Sequence, residues 1–264
     1  MATNLQEINN RSESRQIDHS VEEILNNSAP IECLEEILEL VDLGKRREAT
    51  LYSEEYRNAI SAYITDFDFK DKDLTVFDQF IMQLVLAGSS LSDQSIKFYK
   101  NLNRLAVCTI NALFSLKTSS LKMQGVMYHM QMTAGEASVR INEIEENEFY
   151  INKARQHFVM AVNFVKEMSV HKSFEAQCRV SDMDIQLLLN NNSAQTIEQA
   201  IVDTHNAVEY GKFVNHSGVA SMLERYGDLC DLLGDFRPEE RDYWIDFSKE
   251  LKAQADTFET CYAG

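Results

Sequence analysis

Proline occurs at only two positions, Pro30 and Pro238, and no other feature narrows the possible folds of this chain as sharply. Proline removes a backbone donor and clashes with the preceding helical turn, so the long stretch between the two is free to run as helix. Nine glycines in 264 residues also supply too few turns for a β-sandwich. The expectation is an all-α protein. Hydrophobic residues at 44% and aromatics at 9% can build a sizeable core, and no linker-like stretch divides the chain, so one domain is expected.

Periodicity locates the helices. Pro30 stands at a first helical position, and Ile31, Leu34, Leu38 and Val41 mark one face until Gly44. Ser53 opens a second segment that runs through Tyr56, Ala59, Ile60 and Tyr63 to Asp66, and a third begins near Asp73 and stops at Gly88. From Ser92, the positions Phe98, Leu102, Leu105, Thr109, Leu113 and Leu116 repeat at helical steps. Further helices are predicted over 121–147, 149–168, 174–190, 196–214, 219–233 and 239–258, which brings the total to about ten. Short connections make neighbours antiparallel, an array of helical hairpins that commonly presents a groove. Ala154, Phe158 and Ala161 reappear as Ala200, Thr204 and Ala207 after 46 residues, a period longer than a tetratricopeptide repeat.

Chemistry-bearing patterns are missing. H-E-x-x-H, G-x-S-x-G, Walker and G-x-G-x-x-G patterns do not occur, which points away from an enzyme and from any bound cofactor. The six histidines (His19, His129, His157, His171, His205, His216) lack metal-site spacing. Asp66, Asp68, Asp71 and Asp73 look like a calcium loop, but Lys70 holds a ligand position and Phe77 replaces the bidentate Glu. Five cysteines, odd in number and far apart, read as reduced core residues. A net charge of −17 opposes nucleic-acid and anionic-membrane surfaces. The polar N-terminus and the shortness of apolar windows such as 80–87 give a cytoplasmic, or else nuclear, expectation with no membrane span.

The run Leu121-Lys122-Met123-Gln124-Gly125-Val126-Met127-Tyr128-His129 resembles the L-K-M-K-G-D-Y-Y-R-Y helix of the 14-3-3 proteins. Lys166-Glu167-Met168 is similar to that family's K-K-E-M, Asn192-Ser193 to its N-S-P turn, and Ala200 and Ala207 follow in order. Upstream, Tyr56-Arg57-Asn58 resembles its Y-K-N, and the helix around Cys108, Leu113 and Leu116 its C-N-x-V-L-x-L-L segment; the likeness spans about Leu51 to Phe236. It implies a cup of nine to ten antiparallel helices over 29–236, after a polar extension and first helix over 1–28. It further implies a homodimer and a concave groove for phosphoserine or phosphothreonine segments of client proteins.

Carried over residue by residue, the phosphopeptide site comprises Arg57 and Lys122, which match two groove lysines, and Ile64, which stands where a phosphate-binding arginine is expected. His129 and Met130 replace the Arg-Tyr pair, Asp182 replaces the asparagine that clamps the ligand backbone, and Leu189 replaces a glutamate. A guanidinium fork thus becomes a titratable ring and a hydroxyl a thioether, so phosphate recognition is expected to be weakened or atypical. The implied partners are phosphorylated or acidic protein segments. Residues 237–264 form an additional helix and tail, with Trp244 as a candidate anchor. Gly227, Gly234 and Phe236 also echo a tetratricopeptide turn, which leaves open a generic helical-repeat scaffold without phospholigand binding.

Overall fold

A computed structural model describes residues 96–115, 121–214 and 216–262. The chain forms two compact units, Met1–Leu116 and Lys117–Gly264. One helix is described in the first, α1 (Ile96–Ser115), where Phe98, Leu102 and Thr109 of the expected stripe are buried. The helices read over 31–44, 53–66 and 73–88 lie outside the described residues.

The second unit runs α2 (Leu121–Glu145), α3 (Glu148–Val165), α4 (Val170–Asn190), α5 (Ala194–Phe213), α6 (Val219–Phe236), a 3₁₀ turn at Pro238–Glu240 and α7 (Arg241–Tyr262). There is no strand among the described residues. Each of these helices packs antiparallel on the next across a short turn. The hairpins α2–α3, α4–α5 and α6–α7 open at Leu121, Val170 and Val219, 49 residues apart each time. The recurrence of small residues has a direct structural meaning, because Ala154, Phe158, Ala161, Ala200, Thr204 and Ala207 are all 0% exposed. Each set forms the inward stripe of a hairpin's second helix, and Ser248, Leu251 and Ala255 are buried likewise in α7.

Local chemistry sets the helix ends. Asn147 accepts from the Phe149 N–H at the start of α3, and Ser169 accepts from the Lys172 N–H at the start of α4. Ser193 and Thr196 form a reciprocal capping box at α5, and Pro238 sits at the first position of the 3₁₀ turn. Glu146 ends α2 with φ 49, a left-handed conformation in which a side chain is strained and which glycine usually takes.

The additional C-terminal helix is integral to the second unit. Leu251 and Ala255 join the same buried cluster as Leu223, Leu229 and Leu233 of α6, with Trp244, Phe247 and Phe258 packed against it. Trp244 Nε1 donates to Glu240 Oε2 at 3.1 Å, and Lys252 reaches Asp228 and Asp231 of α6 at 2.8 and 2.9 Å.

Candidate functional site

The first helix of each hairpin contributes one face to a shared groove. On α4, Arg179, Asp182, Gln186 and Leu189 recur at three- and four-residue steps and so project together. Between α4 and α6 lies a depression of about 580 Å3, floored by buried Leu188 and Leu229 and edged by Ile185, Leu189 and Leu232. A second depression, of about 320 Å3, lies between α2 and α4 and is lined by Glu136, Arg140, Glu143, Arg179 and Asp182. The two share Ile185 and Arg225, so an apolar half meets a charged half.

The cations of the charged half are already engaged. Arg179 Nε donates to Glu136 Oε1 at 2.7 Å and Nη1 to Asp182 Oδ2 at 3.3 Å. Burial pulls against its charge, but Glu136 and Asp182 hold the guanidinium above its ordinary range. Arg225 Nη1 donates to Asp182 Oδ1 at 2.7 Å and to Ser181 Oγ at 3.1 Å. Glu136–Arg179 and Asp182–Arg225 each join residues 43 apart, the same carboxylate-to-arginine link repeated between successive hairpins. Arg140 pairs with Glu143 at 2.8 Å.

The sequence-derived site residues are distributed unevenly. Arg57 and Ile64 lie outside the described residues, as does the side chain of Lys122, whose backbone falls in the first turn of α2. Met130 is fully buried, 0% exposed, a core residue of α2. His129 is half-buried, with Nε2 3.4 Å from Lys172 Nζ and its ring edge-on to Tyr128. Asp182 does lie in the groove, where it clamps Arg179 and Arg225, and exposed Leu189 borders the apolar half. Sequence reasoning missed Arg179, Arg225, Glu136 and Lys172. The 46-residue recurrence was the signal that could have paired residues one hairpin apart.

Away from the groove, a buried polar layer ties α3, α4 and α5 together. Arg155 reaches Asp184 Oδ1 through Nε and Asp203 Oδ2 through Nη2, both at 2.5 Å. Gln177 Nε2 donates to Asp203 Oδ1 at 3.0 Å, and Gln199 Nε2 donates to Asp203 Oδ2 at 2.8 Å. Asp184 Oδ2 is buried without a hydrogen-bond partner among the described residues. Burial pushes the Asp184 carboxyl up to about 7 despite Arg155. The Cys178 and Cys230 thiols are both free and pushed up to about 12, chiefly by burial, which keeps them protonated and poorly nucleophilic. His157 is lowered to about 4, first by burial and then by Lys153, and so stays neutral beside Gln131 Oε1 at 2.7 Å. No cluster of three metal-ligating side chains occurs among the described residues, and no described helix is long and apolar enough to cross a membrane.

No family model and no curated protein matches the chain. Among solved structures, it is similar to a chain titled "Computational Design of Self-Assembling Cyclic Protein Homooligomers", at 13% identity and a TM-score of 0.37, covering 93% of this chain and 99% of that one. A second, "DHF58 filament", has 11% identity and a TM-score of 0.23, covering 88% of this chain and 92% of that one. Likenesses at these scores carry no argument about fold or role.

Proposed function

We propose that the chain is a non-enzymatic adaptor whose second unit receives a segment of a client protein along the groove formed by α2, α4 and α6, in a 14-3-3-like manner but with little dependence on phosphate. The observation that carries this reading is the clamping of Arg179 and Arg225 by Glu136 and Asp182, beside an open apolar depression. A phosphate would have to displace these carboxylates before gaining either guanidinium, and Asp182 would repel it. The apolar half can bind by burial, for which phosphate is irrelevant. The homodimer implied by the resemblance belongs to this reading and is checked by light scattering.

The repetition of buried small residues after 46 positions favours a second reading, a helical-repeat scaffold with no phospholigand recognition at all. Fluorescence anisotropy with a phosphoserine peptide of the 14-3-3 client type and its unphosphorylated twin separates the two. For the adaptor, both peptides bind and their affinities differ by less than about tenfold, or ~1.4 kcal/mol. Micromolar binding that requires the phosphate would overturn the assignment of the arginines. Failure of both peptides to bind would favour the scaffold.

A further inference from the structure

The groove has a sign as well as a shape. Five carboxylates line its two halves (Glu136, Glu143, Asp182, Glu224 and Asp228) against three arginines. All three arginines are spent on groove carboxylates: Arg140 on Glu143, Arg179 on Glu136 and Asp182, and Arg225 on Asp182. Glu224 is exposed and has no ion-pair or hydrogen-bond partner among the described residues. It stands one turn before Asp228 on the rim of the apolar half, and Asp228 itself is largely exposed while sharing Lys252 with Asp231. At the mouth of the same depression Leu189 is 82% exposed, beside half-buried Ile185 and Leu232. An apolar depression whose rim keeps a net negative charge, with Glu224 unpaired among the described residues and one lysine shared by two aspartates, complements a chain that presents leucine-sized side chains on one face and cations on the flank.

We infer that this groove takes a basic, leucine-bearing amphipathic segment of a partner protein, not a phosphorylated or acidic one. The inference rests on the adaptor reading and assigns the chemistry of its client. Apolar side chains enter between Leu189 and Leu232, and Lys or Arg residues of the segment meet Glu224 and Asp228. The whole molecule, at −17, attracts any cation, so the local contribution of the groove has to be separated from bulk attraction.

The test uses the full chain and three labelled 15-residue peptides with leucines at helical spacing, whose intervening positions carry lysine, glutamine or phosphoserine. The lysine peptide is expected to bind at least tenfold more tightly than the phosphoserine peptide. Leu189→Ser and Glu224→Lys, both at exposed positions that leave the fold intact, should each weaken the lysine peptide about tenfold. Glu250→Lys on α7, which makes the same change in net charge outside the groove lining, should weaken it less than twofold. Equal losses for Glu224→Lys and Glu250→Lys would overturn the inference, since attraction would then come from overall charge. Tighter binding of the phosphoserine peptide that depends on Leu189 would overturn the sign while leaving the adaptor reading standing. If none of the three peptides binds, the groove reading itself fails.

Discussion

Asp184 Oδ1 lies 2.5 Å from the Arg155 guanidinium, yet its carboxyl is pushed up to about 7 from an ordinary value of 3.8. Burial is the larger cause, and Arg155 divides its charge between Asp184 and Asp203, whose own charge adds repulsion. The consequence for stability is opposite to that of an exposed salt bridge. A carboxyl with a raised folded pKa holds its proton more tightly folded than unfolded, so its effect on stability is best below 3.8 and worsens as pH climbs toward 7. Above that the effect is flat. Asp184→Asn removes the titration, so the fall in urea midpoint between pH 5 and pH 8 should be smaller in the variant than in the parent. Equal falls in both would remove Asp184 from the account.

The hairpin elements owe their close pairing to small side chains. Gly135 of α2 meets Phe158, which lies on a stripe of α3 with Ala154 and Ala161, all buried. A β-carbon added at Gly135 would lie 2.8 Å from Phe158 Cδ1, and Phe158 has no exposed surface into which it could withdraw. Overpacking of this kind costs about 1–3 kcal/mol. Gly135→Ala should lower the urea midpoint accordingly, whereas alanine at Gly125, which meets nothing within 4 Å, should be neutral or slightly stabilising through helix propensity. Similar effects at the two positions would contradict the packing described for α2 and α3.

At the scale of the second unit, α7 closes the apolar face of α6. Leu251 and Ala255 are buried in the α6 cluster, and Trp244, Phe247 and Phe258 lean on it. Deletion of residues 237–264 therefore uncovers Tyr226, Leu229 and Leu233 and should lower the thermal midpoint by on the order of 5 °C or more. An unchanged midpoint, with stronger peptide binding, would instead make α7 a removable cover docked through Trp244. Its ion pairs point the same way as its packing, since Lys252 reaches two aspartates of α6.

Much of this architecture could be read before any coordinates. Helical spacing placed α2 to α7 within a few residues of their ends, with the largest shifts, four residues each, at the start of α4, which begins at Val170 after the Ser169 cap, and at the end of α7, which runs to Tyr262. That cap was overlooked because a serine signals a helix start only when its hydroxyl meets a backbone N–H. The recurrence of Ala154, Phe158 and Ala161 was equally visible, because burial imposes small residues at a fixed period along the chain. The fate of the charged side chains and of Met130 was not visible. Met130, at the position aligned with a phosphate-pocket tyrosine, is interior, and Asp182, at the position aligned with a ligand-clamping asparagine, is the counter-ion of two arginines. Backbone periodicity is a local property and survives in one dimension. The partner of a charge, and the burial that shifts its pKa, depend on which helices come within a few ångströms, and only the packed hairpins settle that.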